Sequence, residues 1–143
     1  MIPAYLNPRD GTSTVKVLTG YGLASFTPNG GAFGRGVSFA NGFPDGTSNT
    51  VLFGERLMIC GDIPNRWFSA GPDGMVFGAV PEPMNFGVGD PAQCDPDRVC
   101  TVTWGILVAM ADGSTREVPR DVAMNNWAQA CGPDDGDKLG DDW

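Results

Sequence analysis

The sequence predicts an α+β domain that is mostly β: an antiparallel sheet with a short C-terminal helix and long irregular loops. Three observations carry that expectation. Gly and Pro number 21 and 12 in 143 residues, about twice their usual combined share of about 12%, so turns and short strands should prevail over long helices. The apolar runs are short and end on turn dipeptides. Only one stretch, near the C-terminus, repeats its apolar residues at helical spacing. The length fits one globular domain over residues 1–143. Apolar residues at 41% and aromatics at 10% supply a modest core.

Along the chain, residues 1–20 read as an extended lead-in, and residues 1–50 as loops with short apolar pieces at 15–18 and 36–39. Pro44-Asp45-Gly46-Thr47-Ser48-Asn49-Thr50 is a dense turn signal that feeds the first clear strand, 51–59. Residues 66–69 and 75–78 read as a second strand pair around the turn Gly71-Pro72-Asp73-Gly74. Residues 79–101 form a Pro-rich loop, and loops of that length carry function or are held by crosslinks. The run 103–111 is the most apolar and should be a central strand. Asp112-Gly113 then suits a two-residue type I′ hairpin turn, and 114–118 returns as its partner. Asp121 reads as the N-cap of a helix whose Ala123, Trp127, Ala130 and Cys131 share one face. Gly132 and Pro133 stop it.

Charge and composition exclude several functions. Seventeen acids against nine bases give a net charge of −8, which repels phosphate backbones and anionic lipid surfaces, so nucleic acid is not an expected partner. No stretch approaches the about 18 apolar residues of a membrane span. The chain has no histidine, which removes Ser-His-Asp and Cys-His nucleophiles and most catalytic zinc sites. The expectation is a protein that is not an enzyme.

Cys60, Cys94, Cys100 and Cys131 have no C-x-x-C spacing, so zinc-ribbon and thioredoxin readings fail. Four cysteines allow three pairings. The expected pairs are Cys94 with Cys100, across the Pro-containing turn C-D-P-D-R-V-C, and Cys60 with Cys131. Four reduced, buried thiols are the alternative. An even count in a small Gly-rich chain favours an oxidising compartment, and so an exported protein, extracellular or at the cell surface or in the periplasm.

Three stretches resemble a known group. Asp45 to Glu55, reading D-G-T-S-N-T-V-L-F-G-E, is similar to the D-G-T-S-N-T-I-L-x-G-E signature of planctomycete prepilin-like proteins. Val108 to Arg116 is similar to that family's apolar strand and D-G-S turn, and Leu139-Gly140 with Asp142-Trp143 to its closing L-G-x-D-W. Tyr21-Gly22 and Asn29-Gly30-Gly31-Ala32-Phe33 fit the family more loosely. The resemblance covers roughly residues 20–143. It implies a pilin-like head, an antiparallel sheet that packs on a long N-terminal helix in full-length members. That helix is not in this sequence, so any membrane link would run only through it. One sheet face would then need cover from loops or a neighbouring subunit. The chain departs from the family where Val102 stands in place of a histidine.

Several residues invite a functional reading beside a plainer one. Asp45 to Thr50 concentrates oxygen donors, which could hold a cation, yet the same residues make turns and caps. Glu55 next to Arg56 could suggest a catalytic carboxylate, but adjacent strand residues face opposite sides of a sheet, so a hydrogen-bond or ion-pair anchor is the plainer reading. The tail residues Asp134, Asp135, Asp137, Asp141 and Asp142 could ligate Ca²⁺, although their spacing departs from the EF-hand pattern; a solvated acidic terminus is the plainer reading. Asp95 and Asp97 form a weaker cation candidate. Trp67, Phe68, Trp104, Trp127 and Trp143 read as packing residues rather than a sugar platform. The expected cofactor is none, or Ca²⁺. The expected function is an exported pilin- or pseudopilin-like structural subunit that acts through self-assembly with like subunits, as a homo-oligomer or filament, or through surface protein contacts. The alternative is a secreted carbohydrate- or protein-binding module, with calcium dependence as a variant of that reading. An acid hydrolase is remote, since nothing specifies a carboxylate pair.

Overall fold

A computed structural model describes residues 5–14, 22–33, 38–66, 84, 86–95, 98–133, 136, 139–140 and 143. The chain is α+β and mostly β. Strands β1 (Phe26–Pro28), β2 (Val51–Glu55), β5 (Gly105–Met110) and β6 (Thr115–Pro119) form one antiparallel sheet in the order β1-β2-β5-β6. Two short strands, β3 (Ile59–Cys60) and β4 (Ile63–Pro64), make a separate hairpin. A single turn of helix, α1 (Gly30–Phe33), follows β1, and α2 (Met124–Cys131) follows β6. No helix among the described residues is long and apolar enough to cross a membrane.

The pleat sorts the sheet into two unlike faces. Val51, Ile106, Val108, Met110 and Val118 point to one side and are all buried. Trp127, Ala130 and Cys131 of α2 complete that core, with Val99 and Val122 beside them and Trp143 at its margin. Across the ladder Phe53 pairs with Ala109, Ala109 with Thr115, and Pro28 with Phe53, which places these residues on the opposite face. The register between β2 and β5 shifts between Val51 and Phe53, so Leu52 is the extra residue of a bulge. Leu52 is buried with Ala32 of α1 and Ala111, beside Phe43 and Phe53.

Several expected boundaries move, each for a local reason. The strand expected over 51–59 leaves the sheet after Glu55, because Arg56, Leu57 and Met58 are all buried and their amides turn elsewhere. They donate to the Ser25 carbonyl, the Cys100 sulfur and the Asp10 carboxylate. The central strand starts at Gly105 rather than residue 103. The helix is capped by the backbone of Ala123 and not by Asp121, since a turn from Pro119 to Val122 delays its start. Trp127, Ala130 and Cys131 are buried as the spacing requires, with Asn126 taking the place expected of Ala123. Residues 5–14, expected as part of an extended lead-in, include a 3-10 turn, Gly11–Thr14. Asn7, Asp10 and Thr12 of this segment are buried. The strand pair expected at 66–69 and 75–78 lies outside the described residues, apart from Arg66, which bridges to Leu23.

The β5–β6 turn is one residue wider than the two-residue turn expected. The Met110 amide donates to the Ser114 carbonyl, and the Gly113 amide to the Met110 carbonyl at 3.1 Å. Ala111, Asp112 and Gly113 therefore form a three-residue loop, with Gly113 at φ +84°, the left-handed position that closes such loops. Replacing Gly113 by Val should cost on the order of 1–2 kcal/mol, because a β-branched residue resists that conformation. Chemical denaturation measures it, and a variant as stable as the parent would contradict the turn geometry.

Candidate functional site

The sequence-predicted site residues fall into three places, and the first of them is structural. In the Asp45 to Thr50 turn, Gly46 has φ +100°. The Asn49 side chain donates to the Asp45 carbonyl at 2.7 Å, and the Thr50 hydroxyl to the Gly46 carbonyl at 3.3 Å. This turn clasps the tip of the β5–β6 hairpin: the amides of Ala111 and Asp112 donate to the carbonyls of Thr50 and Thr47 at 2.9 and 3.0 Å. The two signature stretches thus meet in space, 45–50 against 111–112. The Asp112 carboxylate accepts from the Ser114 amide at 2.8 Å. Hydrogen bonds from the Ser114 side chain and amide hold its pKa below the usual carboxylate value. The Asp45 carboxylate accepts from the Gly136 amide at 2.8 Å. Asp97, Asp134, Asp135, Asp137, Asp141 and Asp142 lie outside the described residues, and the calcium expectation falls there with them. Asp95 pairs with Arg98 at 2.9 Å.

Glu55 ends β2 and is buried. Its carboxylate accepts from the Asn7 side chain and from the Leu107 amide at 3.2 Å, while its own carbonyl accepts from the Cys100 amide. Burial raises its pKa, against the opposing pull of Leu107, Thr101, Arg9 and Asn7. With donors committed on several sides, this carboxylate joins the N-terminal segment to β2 and β5.

The cysteines depart from both expected pairings. Cys60 is bonded to Cys94, and Cys100 and Cys131 are free, buried thiols. Cys131 lies on α2 in the core beneath the sheet, whereas Cys60 belongs to a different cluster with Leu57, Val88, Cys94 and Cys100. Sequence distance could not reveal that separation. Val102 packs against the same cysteine cluster. Burial alone pushes the Cys131 thiol far above its ordinary pKa, so it is an inert core residue.

The feature that sequence reading located only in outline is the second face of the sheet. A groove of about 260 Å³ lies along it, lined by Tyr5, Phe26, Phe53, Leu107, Val108, Ala109 and Thr115. Leu107 is 41% exposed in the middle of the most apolar strand. Phe33 stands beside the groove at 50% exposure, its ring 5.3 Å from that of Phe53. The lining offers no thiol, amine or carboxylate. Such a surface can bind by burying apolar area, and the Tyr5 phenol and Thr115 hydroxyl are the polar side-chain groups of its lining. The aromatics expected as packing residues divide. Trp127 is core, its ring 6.3 Å from Trp143, but Trp104 is 66% exposed and its ring lies under the Arg120 guanidinium at 4.7 Å. Trp67 and Phe68 lie outside the described residues. No family model, curated protein or solved structure matches this chain.

Proposed function

We propose that the chain is an exported, pilin-like structural subunit that works through contacts between copies of itself rather than through catalysis. The observation that carries this reading is the unlike pair of sheet faces. One is sealed by α2, and the other presents Phe26, Phe53, Leu107 and Ala109 around an apolar groove. A contiguous exposed apolar patch is the usual mark of an interaction site.

Three features favour a second copy as the occupant. The groove, at about 260 Å³ with an almost wholly apolar lining, has room for an inserted apolar side chain. Phe33 projects beside it, so one surface carries both knob and hole, which a two-fold contact can use twice. The outer strand β6 carries Arg116, Glu117 and Pro119, residues that discourage edge-to-edge pairing; the face, and not that edge, is the contact. The net charge of −8 opposes association and is screened by salt.

Sedimentation velocity over a concentration series tests the reading. The parent chain should associate, and more tightly as salt rises to about 0.5 M. Leu107→Glu should weaken association roughly 100-fold, about 3 kcal/mol, by placing a charge in the contact. A parent chain that stays strictly monomeric up to millimolar concentration would overturn the proposal.

A further inference from the structure

Three sulfurs meet in the interior away from the sheet face. Cys60 and Cys94 are bonded, and the Cys100 sulfur lies 2.8 Å from that of Cys94. All three sulfur atoms lie within 4.8 Å of one another and all three residues are buried. Thiol–disulfide exchange needs a thiol in contact with one sulfur of a disulfide, and Cys100 occupies that position. The Leu57 amide donates to the Cys100 sulfur at 3.5 Å, which favours its thiolate.

We propose that the cluster is an internal exchange site in which Cys94 is shared between two partners. The Cys100 thiolate attacks the Cys94 sulfur; the Cys94–Cys100 bond forms as the Cys60–Cys94 bond breaks; Cys60 leaves as a thiolate and takes up the proton that Cys100 released. One disulfide and one thiol exist before and after, so no outside oxidant or reductant takes part. Burial favours this internal route over attack by a thiol from solution.

The two connectivities constrain different things. The Cys60–Cys94 bridge spans 34 positions and ties β3 to the 3-10 turn Pro91–Gln93, beside the hydrogen bond from the Gly61 amide to the Pro91 carbonyl. A Cys94–Cys100 bridge would close only a local loop and release the β3–β4 hairpin from that tie. Exchange would therefore act as a covalent latch on the hairpin. Arg56, Asp10 and Glu55 are the charged groups around Cys100: Arg56 favours its thiolate, and the two acids oppose it. Burial outweighs these and pushes its pKa up to about 11. The attacking thiolate then grows about tenfold per pH unit below that value, so exchange should be slow near neutrality and about 100-fold faster at pH 9 than at pH 7.

Disulfide mapping decides. Arg66, Arg98, Arg116 and Arg120 place the four cysteines on separate tryptic peptides. Protein oxidised with glutathione disulfide is held at pH 9, quenched in acid, alkylated in denaturant and digested. The parent should yield both linked pairs, Cys60 with Cys94 and Cys94 with Cys100. Cys60→Ser should retain the second pair, Cys100→Ser the first, and Cys94→Ser neither. The proposal is overturned if the parent yields only Cys60 with Cys94 and a fully alkylated Cys100. Four free thiols after oxidation would overturn it equally.

Discussion

Replacing Asn29 by Asp is expected to lower stability by about 4 kcal/mol or more, which for a chain of this length lowers the melting temperature by roughly 10 °C. Asn29 is fully buried where β1 gives way to α1. Its side-chain amide donates to the Val51 carbonyl at 2.7 Å and to the Cys131 carbonyl at 2.9 Å. Its side-chain oxygen accepts from the Gly31 amide at 2.9 Å. One side chain thus joins β2, the C-terminal end of α2 and the start of α1, across 102 positions of sequence. A carboxylate there would face two carbonyl oxygens with no proton to offer. Its pKa in the folded state would rise above the unfolded value of about 3.9, so the folded state would bind more protons than the unfolded state. Stability of the variant should therefore recover as pH falls through that window. Asn29→Ala should cost less, about 2–4 kcal/mol, with no such recovery. Thermal unfolding from pH 7 to pH 4 separates the two; equal pH profiles for the variants would contradict the assigned hydrogen bonds.

Asp10→Ala should be comparably damaging. The Asp10 carboxylate is buried and accepts from the Thr12 amide and hydroxyl, from the Ser25 hydroxyl at 2.9 Å and from the Met58 amide at 2.7 Å. Thr12 passes the connection on, since its hydroxyl oxygen accepts from the Ile59 amide at 3.2 Å. Removing the carboxylate strands several buried donors at once, at a cost of about 3–5 kcal/mol. It would also detach the segment 5–14 from the chain leading into β3. Urea denaturation measures the loss. A change below about 1 kcal/mol would mean that water satisfies these donors and that the segment is not held by this carboxylate.

Both residues show where sequence reading succeeds and stops. Asn29 lies in a motif visible in the chain, but only the fold shows that it bolts a strand to a helix. Asp10 was missed, although the signal was present: Asp10-Gly11-Thr12 repeats the D-G-T that opens the 45–50 turn, and an Asp that accepts from the amide two residues on is a local, readable turn. The hairpin of β5 and β6 and the buried face of α2 were legible because turn chemistry and helical period act over a few residues. The end of β2 was not, because Arg56, Leu57 and Met58 continue a strand-like run while their amides find partners in residues 10, 25 and 100. The disulfide was equally hidden. Its partner is chosen by which sulfurs the fold collects, and the short C-D-P-D-R-V-C spacing pointed to the neighbouring thiol. The bulge at Leu52 depends on the register across two strands and leaves no mark in either alone. The apolar sheet face was expected only as a consequence of resemblance; its residues, Phe26, Phe53 and Leu107, come from three separated strands.

The central claim is that this face joins one copy to another. It is tested most directly by placing a photoreactive benzoylphenylalanine at Leu107 and, as a control, at Met124, which is exposed on α2 across the sheet. Irradiation followed by peptide mapping reads which surfaces meet. The account predicts cross-linked dimers from position 107, mapping to peptides of a second copy that contain Phe26, Phe33 or Phe53, and few from position 124. Dimers that form equally from both positions, or from 124 alone, would contradict it.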